Sequence, residues 1–376
     1  MSFDLGVDSL GDLSRGAALL GTGGGGDPHV GRLLVTQALG DRTVRILDPD
    51  EVADDAFVVP VAQMGAPTVG MEKLPGGDEP VAVLRAIERH VGRTADAVIP
   101  VECGGINSMI PLFVAARTGL PVIDADGMGR AFPELQMKTF AAYGISGSPM
   151  ALAGENGETA IIDTGTDDKR MEWLARGVTM RLGGIAHVAE FTMSGADMRR
   201  TAIKRTLTLG IRLGAALREA RRDHRDPVAA LAEVVADTEY RHLRALFTGK
   251  IVDIERRTEG GFAVGRARFA SFGAADTSEL ELTFQNEHLV AEVDGRVVCT
   301  VPDLICVLDA ETGEPITTEG LRYGQRATVI GIGTPPVMRT EQALAAFGPA
   351  AFRLGTEFRP VEELTAGTAG TAAPTP

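Results

Sequence analysis

The chain is poor in cysteine, aromatic residues and positive charge, and each shortage removes a class of function. Three cysteines in 376 residues (Cys103, Cys299, Cys306) are too few and too scattered for a disulfide framework or a paired-cysteine metal site. A reducing, cytoplasmic setting is therefore expected. Aromatic residues make up 5% with a single Trp, which leaves no stacking platform for single-stranded nucleic acid. The 37 Lys and Arg against 51 Asp and Glu give a formal charge of −14, so neither nucleic acid nor an anionic membrane is an expected partner. An anionic ligand would need positive potential concentrated locally. No apolar run approaches the ~18 residues of a membrane span, and the acidic start MSFDLGVDSLGDL has no signal-peptide pattern. The six histidines show no HxH, HExxH or HxxxH spacing and the chain has no GxSxG elbow, so neither a histidine-rich metal site nor that kind of serine hydrolase is expected.

Glycine, by contrast, is abundant: 46 residues, about 12% against a usual ~7%. The length exceeds a single domain of ~100–200 residues, so two domains are expected. Apolar β-branched runs at 44–47, 57–62, 97–101 and 121–123 alternate with helical patterns at 80–91, 108–118 and 134–143, which predicts an N-terminal α/β domain with a parallel sheet over 1–170. Residues 160–163 and 184–191 could add strands. A connecting region is placed at 171–245, with a long helix over 196–220 whose Arg199, Arg200, Lys204, Arg205, Arg212 and Arg218 read as a solvated face. The texture then turns to short alternating runs, predicting a β-rich domain over 246–360. A small-residue tail over 361–376 is expected to be disordered.

The most distinctive local feature is LGTGGGGDP. Gly21 and the run Gly23, Gly24, Gly25, Gly26 allow positive φ and let backbone N–H groups point into one concavity, while Asp27 and Pro28 have the pattern of an N-cap and first helical residue. The letters also satisfy GxGxxG, with Asp48 following a short strand. Yet 9–20 before the loop has helical spacing, which is the wrong context for a dinucleotide fingerprint, and no Lys-Ser/Thr follows for a Walker loop. A tight helix-to-helix turn without a ligand stays open beside these readings.

Two strand ends carry acids. The run 97–101 is followed by Glu102, Cys103, Gly104, Gly105, Ile106 and Asn107; the run 121–123 is followed by Asp124, Asp126, Gly127, Gly129, Arg130 and Glu134. Ligands of open α/β sheets bind at such carboxyl ends. Asp124 and Asp126 suit a divalent cation or a pair in which one carboxylate raises the other; Arg130 could hold a substrate carboxylate or simply pair with the aspartates. The alternative is ordinary turn acids and a surface ion pair. Cys103 could be an activated thiol or a small buried apolar residue. His29 and His187 could carry a proton or a metal.

Together LGTGGGGDP, ECGGINSMIPL, GLPVIDADGMGRAFPELQM and VPDLICVLDAETGEPITTEGLRYGQ resemble the S-methyl thiohydantoin desulfurase family, from about Leu10 to about Phe358. The resemblance implies an N-terminal α/β domain, a C-terminal β-rich domain, and ring chemistry on thiohydantoin-like compounds in the breakdown of sulfur-containing imidazole metabolites; the expected reaction is hydrolytic, water adding at the sulfur-bearing carbon with release of methanethiol. It places the family's motif positions on Gly23 to Asp27, Glu102, Gly104, Gly105, Asn107, Asp124, Asp126, Arg130 and Glu134; position 103 is not a fixed residue in it. Glu102, Asp124, Asp126 and Asn107 are then the expected catalytic groups, with Glu102 or Asp124 activating water. The glycine loop, Gly104, Gly105, Arg130 and Glu134 would bind the ring. No organic cofactor is expected, a divalent metal is left open, and a homo-oligomer and a hydantoinase/oxoprolinase-like partner are expected associations. The alternative is a non-catalytic subunit of such a complex.

Overall fold

The computed structural model describes residues 1–66, 69, 76–259, 262–272 and 277–364. The first sheet has a parallel centre with antiparallel flanks. β2 (Val44–Leu47), β3 (Phe57–Gly65), β4 (Ala97–Pro100) and β5 (Val122–Ile123) run parallel in the order β2-β5-β4-β3, with β1 (Phe3–Leu5) antiparallel on β2. On the other side, β7 (Met150–Ala153), β8 (Thr159–Ile162) and β9 (Ile185–Ala189) continue antiparallel in the order β3-β9-β7-β8. The short strands β6 (Ala125–Asp126) and β11 (Ile203–Lys204) pair with each other, and β10 (Met193–Ser194) pairs with β3.

Parallel neighbours need crossovers, and the sequence supplies helices of two kinds. In α3 (Glu79–Val91), Val83, Leu84 and Ile87 face inward while Arg85 and Arg89 do not, and Gly92 ends the helix in the left-handed region at φ 75°. In α4 (Ile110–Thr118), Ile110 to Ala116 are all buried, as expected of a helix apolar on every side. The first helices, α1 (Val7–Leu20) and α2 (Pro28–Leu39), flank the glycine loop, and Asp27 caps α2 by accepting from the His29 N–H at 2.8 Å.

The long helix expected over 196–220 is two helices. α7 (Gly195–Thr201) ends before β11, and α8 (Thr206–Arg222) starts after Arg205, which holds φ 63°. Asp48 and Asp50 bond Arg205, and Asp50 also bonds Lys204, so these two cations clamp acids instead of lying on a solvated helical face. α8 crosses α1 at backbone contact: a Cβ on Gly16 would lie 1.8 Å from Gly210 O. Part of the glycine excess is thus spent on helix packing. Only α5 (Thr139–Ala142) forms within the helix expected at 134–143. Two further helices, α6 (Asp168–Arg181) and α9 (Pro227–Ala236), complete the N-terminal two thirds.

The second sheet is antiparallel throughout. It orders β16 (Arg296–Thr300), β15 (Glu287–Val293), β14 (Glu279–Gln285), β13 (Phe262–Ala270), β12 (Leu243–Glu259), β19 (Arg326–Ile332), β17 (Leu304–Asp309) and β18 (Pro315–Ile316). Its strands alternate as a half-buried sheet should: Leu280, Leu282 and Phe284 of β14 point inward. Burial of a ring such as Phe269 or Phe284 contributes about 2–3 kcal/mol. One apolar cluster joins Leu10, Leu13 and Leu20 of α1 to Leu304, Cys306 and Ile330 of this sheet, so the two sheets share a core. A short helix follows α10 (Glu341–Phe347): the segment expected to be disordered from 361 opens as α11 (Val361–Leu364), with Val361 buried and its N–H on Asp303 Oδ2 at 2.7 Å. The remainder of that expected tail lies outside the described residues. No helix among the described residues is long and apolar enough to cross a membrane.

Candidate functional site

Glu102 follows β4 at the carboxyl end of the sheet, and Asn107 sits on the 3-10 turn Gly105–Ser108. Asn107 donates its side-chain amide to Glu102 Oε1 at 2.7 Å and to Gln63 O at 3.2 Å, and accepts from the Gln63 N–H at 2.7 Å. One amide therefore ties the end of β3 to the carboxylate after β4. Glu102 is 5% exposed, and its Oε2 has no hydrogen-bond partner. Burial pushes its carboxyl well above the ordinary range; the Asn107 bond opposes the shift, and the charges of Glu287 and Asp126 add to it.

The glycine loop is a seam between the two sheets. The Gly25 N–H donates to Glu287 Oε1 at 3.3 Å, and Gly25 O accepts from the Ile106 N–H at 2.9 Å. His288 N–H and Thr318 N–H reach the carbonyls of Thr22 and Gly23 from the other side. A Cβ on Gly24 would sit 2.1 Å from Glu287 Oε1, and one on Gly105 2.0 Å from Gly25 O. Side-chain-free backbone is what brings Glu287 up against the first sheet. Glu287 is 3% exposed, its Oε2 also lacks a partner, and burial raises its carboxyl to about 8 against the opposing pull of Arg130 and the Gly25 N–H.

These groups line a cavity of about 120 Å³. Its walls are Gly25, Gly26, Asp27, Gln63, Glu102, Asn107, Glu134, Asn286 and Glu287, with apolar surface from Met64, Met128, Phe132, Leu135 and Ile185. Arg176 of α6 also lines it, but its Nε donates to Glu172 Oε1 at 2.6 Å and its Nη2 to Pro133 O at 3.1 Å. The arrangement suits a small ring with polar edges, held where two buried carboxylates can exchange protons with it.

The segments 21–27, 102–107 and 127–134 do meet, but their residues divide. Glu102, Asn107, Gly25, Gly26, Asp27 and Glu134 face the cavity, whereas Gly23, Gly24, Gly104 and Gly105 lie behind it as close-packed backbone. Asp124 is turned away, accepting from the Thr208 N–H and hydroxyl at the start of α8. Asp126, fully buried, accepts from the N–H groups of Cys103, Met128 and Gly129, so its oxygens staple the turn; burial raises it to about 6. Neither aspartate lines the cavity, and among the described residues no group of three or more His, Cys, Asp or Glu is placed to hold a metal ion. Arg130 is not a receptor for a substrate carboxylate. It is fully buried, donating to the carbonyls of Ala131, Asp303 and His288 at 3.1, 2.9 and 2.8 Å and lying over the Phe132 ring.

Cys103 is buried against the Thr206 hydroxyl at 3.1 Å, and burial pushes its thiol well above its usual range, so it is no thiolate. His187 is buried, its titration depressed to about 4, and His29 is exposed beside Arg32; neither lines this cavity. Asp48 is engaged by the N-terminal amine and Arg205, and α1 instead of a strand precedes the glycine loop, which leaves no dinucleotide site there. Sequence reasoning missed Gln63, Arg176, Asn286 and Glu287. For the last two the signal is the polar Gln285-Asn286-Glu287-His288 that interrupts two apolar strands, with Asn286 at φ 58°.

Profiles of two domains match the chain: the S-Me-THD-like N-terminal domain over 8–164 and the S-Me-THD-like C-terminal domain over 166–361. The chain is also similar to the crystal structure of a protein from Chromobacterium violaceum, at 26% identity and a TM-score of 0.80, over 96% of this chain and 100% of that one. No curated protein matches it.

Proposed function

Because the chain belongs to the S-Me-THD-like family, that of the S-methyl thiohydantoin desulfurases, we propose that the cavity hydrolyses the carbon–sulfur bond of an S-methyl thiohydantoin or closely related ring. The observation that carries this reading is the pair Glu102 and Glu287, one from each sheet, buried on one small cavity with an unpartnered oxygen apiece. In such a ring the carbon bearing sulfur is amidine-like. Water must add to it before methanethiol can leave, and the addition needs a base for water and an acid for the ring nitrogen.

Two carboxylates that repel each other share one proton more readily than they ionise together. The proton is assigned to Glu287 on geometry: the Asn107 amide donates to Glu102 Oε1 at 2.7 Å and favours its ionised form, whereas Glu287 Oε1 accepts the longer 3.3 Å bond from the Gly25 N–H. Glu287 then donates to the ring nitrogen while Glu102 takes a proton from water, so a C–O bond forms at the sulfur-bearing carbon. Collapse of the adduct breaks the C–S bond, and the thiolate leaves with the proton held by Glu102. The ring carbonyl forms as the added hydroxyl gives its proton to the Glu287 carboxylate while the ring nitrogen keeps the one it received, so water and substrate become methanethiol and hydantoin. Gln63 and Asn286 supply side-chain amides for the ring's edge, Asn107 spends its own on Glu102 and Gln63, and the tight cavity fixes ring and water together.

The test is incubation of the purified chain with S-methyl thiohydantoins, thiohydantoins and hydantoins, following methanethiol, sulfide and the ring product. Methanethiol and hydantoin from the first class alone are expected. Thiol release from none of them by folded protein contradicts the reading and favours a non-catalytic subunit.

A further inference from the structure

We infer that a groove between β11, the start of α8 and the segment 236–241 binds a phosphate dianion, free or as the phosphomonoester of a small molecule. The groove encloses about 640 Å³ and shares no lining residue with the cavity of Glu102 and Glu287. It is a separate site, and the inference stands apart from the desulfurase reading. In a chain of net charge −14 an anion needs positive potential gathered in one place, and here Lys204, Arg205, Arg212 and Arg241 converge, against Asp237 and Glu239.

The four cations are not equally engaged. Lys204 is held by Asp50, and Arg205 gives a single nitrogen, Nη2, to Asp48 and Asp50. Arg212 only approaches Asp237, at 3.6 Å, and Arg241 makes no hydrogen bond or ion pair among the described residues. Arg205, Arg212 and Arg241 are all exposed, so their guanidinium N–H groups can reach a ligand. A guanidinium offers paired N–H groups in the geometry that phosphate oxygens accept, and a tetrahedral dianion can take such forks from three directions where a planar carboxylate cannot.

The frame under these side chains is fixed by backbone contacts. β11 pairs with β6, the Arg205 N–H reaches Asp124 O at 2.6 Å, and the Tyr240 hydroxyl reaches Gly129 O at 2.6 Å. Arg205 and Arg241 both hold left-handed backbone, at φ 63° and 57°, a costly conformation for residues other than glycine and one that gathers at ligand sites. The groove is also larger than one phosphate, which leaves room for an ester's alcohol part, with Asp237 and Glu239 placed to accept its hydroxyl donors.

The test uses the full chain and three probes at constant ionic strength, inorganic phosphate, ribose 5-phosphate and ribose, followed by calorimetry. Both phosphates are expected to saturate one site with a Kd of about 1 mM or tighter, and ribose is expected not to bind. Tighter binding of the sugar phosphate assigns the site to a phosphomonoester, and tighter binding of inorganic phosphate assigns it to the free ion. Arg212→Gln and Arg241→Gln, both at exposed side chains, should each weaken phosphate binding at least about tenfold. Arg32→Gln, on α2 and outside the groove, should leave it unchanged. The inference is overturned if folded protein binds neither phosphate saturably, if both groove variants keep the parental affinity, or if ribose binds as tightly as its phosphate.

Discussion

The side chain of Asn107 donates to Glu102 Oε1 at 2.7 Å and at the same time closes a two-way contact with the backbone of Gln63, so the carboxylate after β4 is positioned from the end of β3. The glycine loop does the equivalent for Glu287. The proposed acid and base are each held by one contact from the first domain. Four predictions follow from this arrangement.

Asn107→Ala removes the donor that favours ionised Glu102. The expected result is a fall in kcat of about 10–100-fold, equivalent to a lost bond to a charged group. The acid limb of the pH profile should move to higher pH, because the one hydrogen bond lowering the Glu102 carboxyl is gone. A pH profile of kcat for both proteins checks the direction.

Gly24→Ala and Gly105→Ala place a Cβ 2.1 Å from Glu287 Oε1 and 2.0 Å from Gly25 O, the second at φ 63°. Each should cost about 3 kcal/mol through overpacking and backbone strain. Gly177→Ala, with nothing within 4 Å of its added Cβ, is the control. Urea melts compare the three.

Arg130→Met leaves the carbonyls of Ala131, Asp303 and His288 without their shared donor. The expected loss is about 3 kcal/mol or more of stability, measured by chemical denaturation. A raised KM with unchanged stability is the outcome for a residue that binds a substrate carboxylate, and it would restore that role to Arg130.

Stability should fall as pH rises across the buried carboxyls. Glu287 titrates at about 8 when folded against 4.5 for its ordinary value, and Glu190, beside Lys138, at about 7. A raised carboxyl binds more protons folded than unfolded, so its contribution is fully present below 4.5 and is lost as pH climbs towards 8. Glu287→Gln keeps the shape without the ionisation. It should be more stable than the parent at pH 8 and show a shallower fall between pH 5 and 8, read from melts at a series of pH values.

Much of this was legible in local patterns. The strand-turn-helix run at 97–118 and the strand-turn run at 121–134 place their glycines and acids at the carboxyl ends of β4 and β5, and the Asp27-Pro28 cap opens α2 as its spacing implies. Local pattern does not say where a carboxylate points. Asp124 and Asp126 lie on the same rim as Glu102, yet their oxygens are consumed by N–H groups and the Thr208 hydroxyl, an outcome that depends on the start of α8 and on the Met128 turn. Arg205 reads as one more charge on a helix because nothing nearby in sequence announces the break at φ 63°. Glu287 was out of reach for a different reason. It is 262 residues from Gly25, and only the docking of the two sheets brings them together.

The most direct measurement is methanethiol release from an S-methyl thiohydantoin by the parent chain, Glu102→Gln and Glu287→Gln, each shown to be folded by its melting curve. The account predicts stoichiometric thiol and hydantoin from the parent and a loss of at least about 100-fold in each variant, the scale of a missing general acid or base. Parental rates in either folded variant would contradict it.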